Sequence, residues 1–171
     1  KPNICPSISA TSPSCKPLYA MTHTRNKIHF AIGQPESGWV KISLGIEDFE
    51  LEFFASNITE DPLEKLYESL IILSSSINTS CEISWNLEPN YYHFEIDKQS
   101  SNYTLKINKS KNEKSTAEII IKVDGGFNDI LKPFYRGLRK FESFDINEND
   151  WKKIPNSKME KLKSVFKDKV N

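Results

Sequence analysis

The chain has no long apolar run. No run exceeds four residues, the length of Leu70 to Leu73, far short of the ~20 that a bilayer-spanning helix needs. Cysteine is scarce: Cys5, Cys15 and Cys81 are odd in number and unclustered, which argues against a disulfide framework. Cys81 opens an apolar-alternating segment and reads as a buried thiol. Cys5 and Cys15 share one segment and could pair with each other. Also missing are a G-x-S-x-G elbow, a Cys/His nucleophile arrangement and a C-x-x-C pair. No cofactor is expected. Four N-x-S/T triplets, starting at Asn57, Asn78, Asn102 and Asn108, carry no weight without a secretion signal.

Net charge is absent too, with 23 basic against 23 acidic residues. The zero conceals a split. Residues 1–40 hold four basic residues and one acid, a net of +3. Residues 41–97 hold twelve acids and two lysines, a net of −10. Residues 98–171 hold seventeen basic residues and ten acids, a net of +7. Asymmetry of this kind speaks to partners and solubility, not to fold.

What is present suits one folded domain. With 37% hydrophobic and 27% charged residues in 171, the chain is too apolar for disorder. A domain of ~150 residues buries roughly 70% of its unfolded surface, so one core suffices. Residues 1–20 stand apart, with four of the nine prolines and four serines. Proline fixes φ and removes a donor, which disfavours helix and central strand there. The expectation is a flexible Pro/Ser-rich tail over 1–20 and a single α+β domain over 21–171, beginning at Met21. The tail lacks the apolar core of a signal peptide, so a cytoplasmic protein is expected.

Period-two alternation predicts strands. Ile28, Phe30 and Ile32 share one face. After a turn over Gln34 to Gly38, Val40, Ile42, Leu44 and Ile46 alternate with Lys41 and Ser43. A short turn near Glu47 leads to Phe49, Leu51 and Phe53, alternating with Glu50 and Glu52. A helix follows, capped by Thr59 or Asp61, with Pro62 in its first turn. Its stripe is Leu63, Leu66, Tyr67, Leu70 and Leu73, and Ser74 to Ser76 end it. Four further strands are expected. Their inward sets are Cys81, Ile83, Trp85 and Leu87, then Tyr92, Phe94 and Ile96, then Tyr103, Leu105 and Ile107. Ala117, Ile119, Ile121 and Val123 complete them. Consecutive strands with short links make an antiparallel meander with one buried face. Two C-terminal helices follow: one carries Phe127, Ile130, Leu131, Phe134, Leu138 and Phe141, with Pro133 near its first turn or kinking it. For the other, Ser157 is the expected N-cap, with Glu160 completing a capping box. The fold expected is α+β: an antiparallel sheet of six to seven strands with helices packed on one face.

The outward positions collect carboxylates: Glu50, Glu52, Glu82, Glu88, Glu95, Asp97 and Glu118. Lys41, Lys106 and Lys122 are the matching cations, and Trp39, Phe54, Tyr91 and Ile120 lie among them. An acidic face with interleaved aromatics suits recognition of a basic protein, because aromatic residues anchor interfaces and opposite charge steers association. The bland alternative is a charged face that only keeps an open sheet soluble. The expected partner face comprises Trp39, Lys41, Glu50, Glu52, Phe54, Glu82, Glu88, Tyr91, His93, Glu95 and Asp97.

Two other chemistries compete. His93 and Glu95 share a strand face and could begin a metal site or an acid–base pair. No third ligand is evident, since His23 lies near the tail and His29 on another strand, so no metal is expected. The cations of the C-terminal helices could form a nucleic-acid footprint, but Glu142, Glu148, Asp150, Glu160 and Asp168 dilute them. Asp124-Gly125-Gly126 before a helix is better explained as a strand-to-helix turn than as a phosphate loop.

Three local patterns bring a family to mind: Asp61-Pro62-Leu63 opening a helix after two alternating strands, Trp85 followed by Glu88-Pro89, and Trp151 then Pro155 before an amphipathic helix. Over roughly Trp39 to Phe166 the segment order resembles small, poorly characterised bacterial α+β proteins, some grouped as toxin-immunity or accessory proteins. The resemblance implies a non-catalytic binding module, concretely an immunity protein masking a cationic toxin domain.

Overall fold

Alternation at seven places becomes seven strands. The computed structural model describes residues 27–112 and 115–170. The tail over 1–20, its Cys5 and Cys15, the start at Met21 and His23 lie outside the described residues. The strands are β1 Ile28–Ile32, β2 Trp39–Ile46, β3 Phe49–Ser56, β4 Asn78–Asn86, β5 Tyr91–Gln99, β6 Asn102–Ser110 and β7 Glu118–Gly125. The helices are α1 Pro62–Ser75 between β3 and β4, then α2 Phe127–Glu142 and α3 Asn156–Val170. Spatial order equals sequence order, and every neighbouring pair is antiparallel. An α+β meander with seven strands and three helices is therefore the architecture of the described residues. No described helix is long and apolar enough to cross a membrane.

The inward sets meet α2. Phe30 lies 4.6 Å from Phe134, Trp85 lies 5.5 Å from Phe94, and Phe53 touches both Trp85 and Tyr92. Such ring pairs add about 0.5–1.5 kcal/mol each beyond their buried area. Helix α2 touches β1 at one end of the strand order and β6 and β7 at the other, so the sheet curves around it. At the β1 contact a Cβ on Gly137 would stand 2.6 Å from the Phe30 ring. Only glycine allows that approach of helix to strand.

The ladder is uneven. β2 pairs with β3 over its whole length, from Trp39 with Ser56 to Ile46 with Phe49. β3 and β4 share a single pair, Ser56 with Asn86. Beyond it the strands part, and α1 packs against β4. Local chemistry sets the start of α1. Asp61 is the N-cap, its Oδ1 accepting from the N–H groups of Leu63 at 2.9 Å and Glu64 at 3.3 Å, with Pro62 next. Trp151, almost wholly buried, donates its indole N–H to Asp61 Oδ2 at 3.1 Å. That bond ties the segment between α2 and α3 to the head of α1. The far end of α1 is closed by Lys98, which donates to the Leu73 carbonyl at 2.7 Å. A cation at a helix C-terminus is favoured by the dipole, and burial holds the Lys98 ammonium below its usual pKa.

Four expectations are corrected. A bulge between Ile107 and Asn108 shifts the β6–β7 register, so Asn108 pairs with Ile119 and Lys109 with Glu118. The extra residue reverses the parity of the strand. Ile119, expected inward, is 62% exposed, and Glu118 lies opposite Lys109 instead of on the outer row. β4 begins at Asn78, earlier than Cys81, and β6 runs on to Ser110. Helix α3 begins one residue before Ser157, with the Pro155 carbonyl accepting from Lys158 and Met159. The capping box does not form, because Glu160 turns to Lys163 at 2.6 Å. Of the two placements expected for Pro133, the first turn is excluded and the helix interior holds, for it sits buried inside α2.

Candidate functional site

Outward side chains stand in cross-strand rows, and register decides who faces whom. On β2 and β3, Lys41 is opposite Phe54, Ser43 opposite Glu52, and Trp39 opposite Ser56. Lys41 Nζ reaches Glu52 at 3.1 Å, and Ser43 donates to the same carboxylate at 2.9 Å. Lys41, then Ser43, hold the Glu52 carboxyl below the usual range. Glu50 is exposed at the far end of β3, and Phe54 is 59% exposed. On β4, β5 and β6, Glu82 faces Glu95, which faces Lys106. Lys106 bridges Asp97 at 2.7 Å and Glu95 at 3.3 Å. The Asp97 carboxyl is lowered by Lys106 and then by Ser80, and Lys106 is raised in turn by Asp97.

The acidic face is thus two patches. The strands carrying Trp39, Lys41, Glu50, Glu52 and Phe54 diverge from those carrying Glu82, Tyr91, His93, Glu95 and Asp97, because β3 and β4 meet only at Ser56 and Asn86. Glu88 lies in neither patch. It occupies the turn between β4 and β5 and is exposed there. Lysines inside the sheet compensate Glu52, Glu95 and Asp97. Glu82 finds no lysine or arginine among the described residues; its contacts are the Ser84 hydroxyl at 3.3 Å and His93 Nδ1 at 3.6 Å.

His93 is 7% exposed, stacked on Tyr91 and bonded at both nitrogens. Ser84 Oγ lies 2.9 Å from Nδ1, and Ser110 Oγ lies 2.9 Å from Nε2. Glu82, His93 and Ser110 therefore have the order of an acid–base–nucleophile triad. Proton accounting runs against that role. Ser110 commits its one hydroxyl proton to the Asn112 carbonyl at 2.8 Å. It can then only accept from His93, so the ring proton sits on Nε2. Nδ1 stands beside the Ser84 hydroxyl, whose one proton is shared between the ring and the Glu82 carboxylate. A base with no lone pair toward the serine cannot activate it. Glu95 turns away to Lys106, so His93 and Glu95 do not converge as a pair. Among the described residues no three His, Cys, Asp or Glu side chains group as a metal site.

Three cations of the C-terminal helices pair with acids. Lys158 meets Glu64 on α1, Lys163 lies 3.4 Å from Glu142, and Arg139 lies 3.6 Å from Glu142.

Sequence reasoning missed one feature. A groove of about 590 Å³ lies between α1 and the edge of β4, with Glu60, Lys65 and Glu68 on one side, Ser80 and Glu82 on the other, and His93 at its base on β5. Burial raises the Cys81 thiol there. The signal available in the sequence was the helix inserted between two consecutive strands. Compared with family models, with curated proteins and with solved structures, the chain matches none.

Proposed function

We propose that this chain is a non-catalytic protein-binding module that masks a cationic partner, of the kind an immunity protein performs against a toxin domain in the bacterial cytoplasm. One observation carries the reading. Glu82 and Glu95 are directly opposed in register, an arrangement that costs stability in a sheet. Lys106 relieves Glu95, whereas Glu82 stays exposed without a lysine or arginine. A cation supplied from outside would complete that row. Phe54 on β3 and Tyr91 on β5 offer the aromatic anchoring that interfaces use.

The test is capture of partners from the native host by the wild-type chain and by a Glu82→Lys, Glu50→Lys double variant. The wild type should enrich a basic protein, and the double variant should bind it at least about tenfold more weakly at low salt. Neighbouring genes are the first place to seek that partner. Enrichment of no basic protein, or equal capture by both chains, would refute the reading.

A further inference from the structure

The edge of β4 is open where β3 has departed, and the hydrogen-bond phase shows which groups it presents. At one end of the β4–β5 hairpin Leu87 N–H donates to the Asn90 carbonyl at 2.8 Å, and at the other Ser100 N–H donates to the Ile77 carbonyl at 3.1 Å. Opposed residues in an antiparallel ladder alternate between pairs that exchange backbone bonds and pairs that do not. Counting inward from either end gives the same phase: Thr79, Cys81, Ile83 and Trp85 bond β5. Ser80, Glu82 and Ser84 therefore point their N–H and C=O groups away from β5. No group of β3 or α1 among the described residues takes them up. The same three residues line the groove, and across it stands one stripe of α1: Lys65, Glu68, Ser69 and Ile72.

We propose that this edge docks an extended, basic segment of a protein partner, which adds to the sheet as a further strand beside β4. Edge addition draws affinity from main-chain bonds and specificity from alternate side chains. The three open residues span Ser80 to Ser84, roughly 17 Å of extended chain. Charge selects the occupant. The groove carries Glu60, Glu68 and Glu82 against Lys65, three carboxylates to one ammonium. Alternate side chains of the incoming strand meet Glu82 on the outer face and want Lys or Arg. The intervening ones meet Ser69, Cys81 and Ile72 and want small or apolar groups. The proposal rests on the cationic-partner reading and gives it a binding mode.

Two end-blocked octapeptides serve as probes, one alternating Lys and Val and one alternating Glu and Val. Amide exchange is read residue by residue. In the free protein the amides of Ser80, Glu82 and Ser84 should exchange fast. The Lys/Val peptide should slow them about tenfold or more, and the Glu/Val peptide should not. Ser80→Pro deletes an N–H that the fold leaves unused, as edge strands tolerate. It should weaken the Lys/Val peptide about tenfold, whereas Ser80→Ala should not. Protected Thr79 and Cys81 amides in Ser80→Pro would show the hairpin intact. Binding that neither protects the three amides nor responds to Ser80→Pro would overturn edge addition. If Glu82→Lys still abolished such binding, the acidic-face reading would stand alone. Equal binding of both peptides would overturn the charge selection and that reading with it. Failure of both peptides to bind, or the same amides slowing with protein concentration alone, would overturn the proposal, the latter by giving the edge to a second copy.

Discussion

Removing the Asp61 carboxylate should cost more than a helix cap, and a double-mutant cycle with Trp151 separates the two parts. Asp61 serves three donors: Leu63 and Glu64 N–H of α1 on one oxygen and the Trp151 indole on the other. Loss of an N-cap costs about 1 kcal/mol, with a range of roughly 0.5–2. Leaving a buried donor such as the Trp151 N–H unpaired costs about 1–3 kcal/mol. Asp61→Ala should therefore destabilise by roughly 2–4 kcal/mol. Asp61→Ser keeps a capping oxygen but falls short of the indole, so it should lose only the second part, about 1–3 kcal/mol. In a Trp151→Phe background, with no indole to orphan, Asp61→Ser should be nearly neutral. The coupling read from the cycle is about 1–3 kcal/mol. Urea unfolding followed by circular dichroism measures it, with the m-value unchanged, and thermal midpoints should move about 2–4 °C per kcal/mol. Additivity within about 0.5 kcal/mol would refute the claim that this one carboxylate holds helix and indole together.

Two further outcomes follow from contacts already described. Gly137→Ala places a Cβ against the Phe30 ring at 2.6 Å; overpacking of about 1–3 kcal/mol outweighs a helix-propensity gain of about 1, and stabilisation in urea titration would contradict the close approach. The Asp97 carboxyl is lowered by Lys106, so the unfolded chain takes up that proton first as pH falls. Its contribution is complete above the ordinary carboxylate range and is lost as pH drops through the folded value; Asp97→Asn should flatten the acid limb of stability against pH, and an unchanged limb would sink the assignment. Asp61 has the opposite sign, because burial raises its carboxyl and its contribution shrinks as pH rises.

Alternation made the strands legible, because a sheet with one buried face writes its period into the side chains. Val40, Ile42, Leu44 and Ile46 are all inside as that pattern requires, and the Asp61-Pro62 start of α1 is where cap chemistry puts it. Features set by one added residue or by distant packing were not legible. Ile119 alternates correctly along the chain, yet the bulge beside Asn108 turns it outward. Ser157 has the residues of a capping box, but the Pro155 carbonyl starts the helix earlier. Ser84, Ser110 and His93 form a network only through register, and nothing in the alternation of β3 or β4 announces that they meet at one pair. The charge split is real in sequence, but pairing spends much of it: Lys106 sits among the acids, and Lys158 crosses from α3 to Glu64.

The single rung between β3 and β4 has a consequence for synthesis. Each strand pairs with its chain neighbour, so both hairpin groups can form as they emerge from the ribosome. Neither can be sealed until α2 arrives, since Phe30 on β1 and Phe94 on β5 both wait for Phe134. During that interval the nascent chain carries an uncovered aromatic trough, and only the charged reverse side opposes clumping. Chains halted at Gly125 should bind a hydrophobic dye strongly and sediment, whereas chains released after Glu142 should do so less. Equal dye binding at both lengths would mean that α2 is not the element that closes the trough.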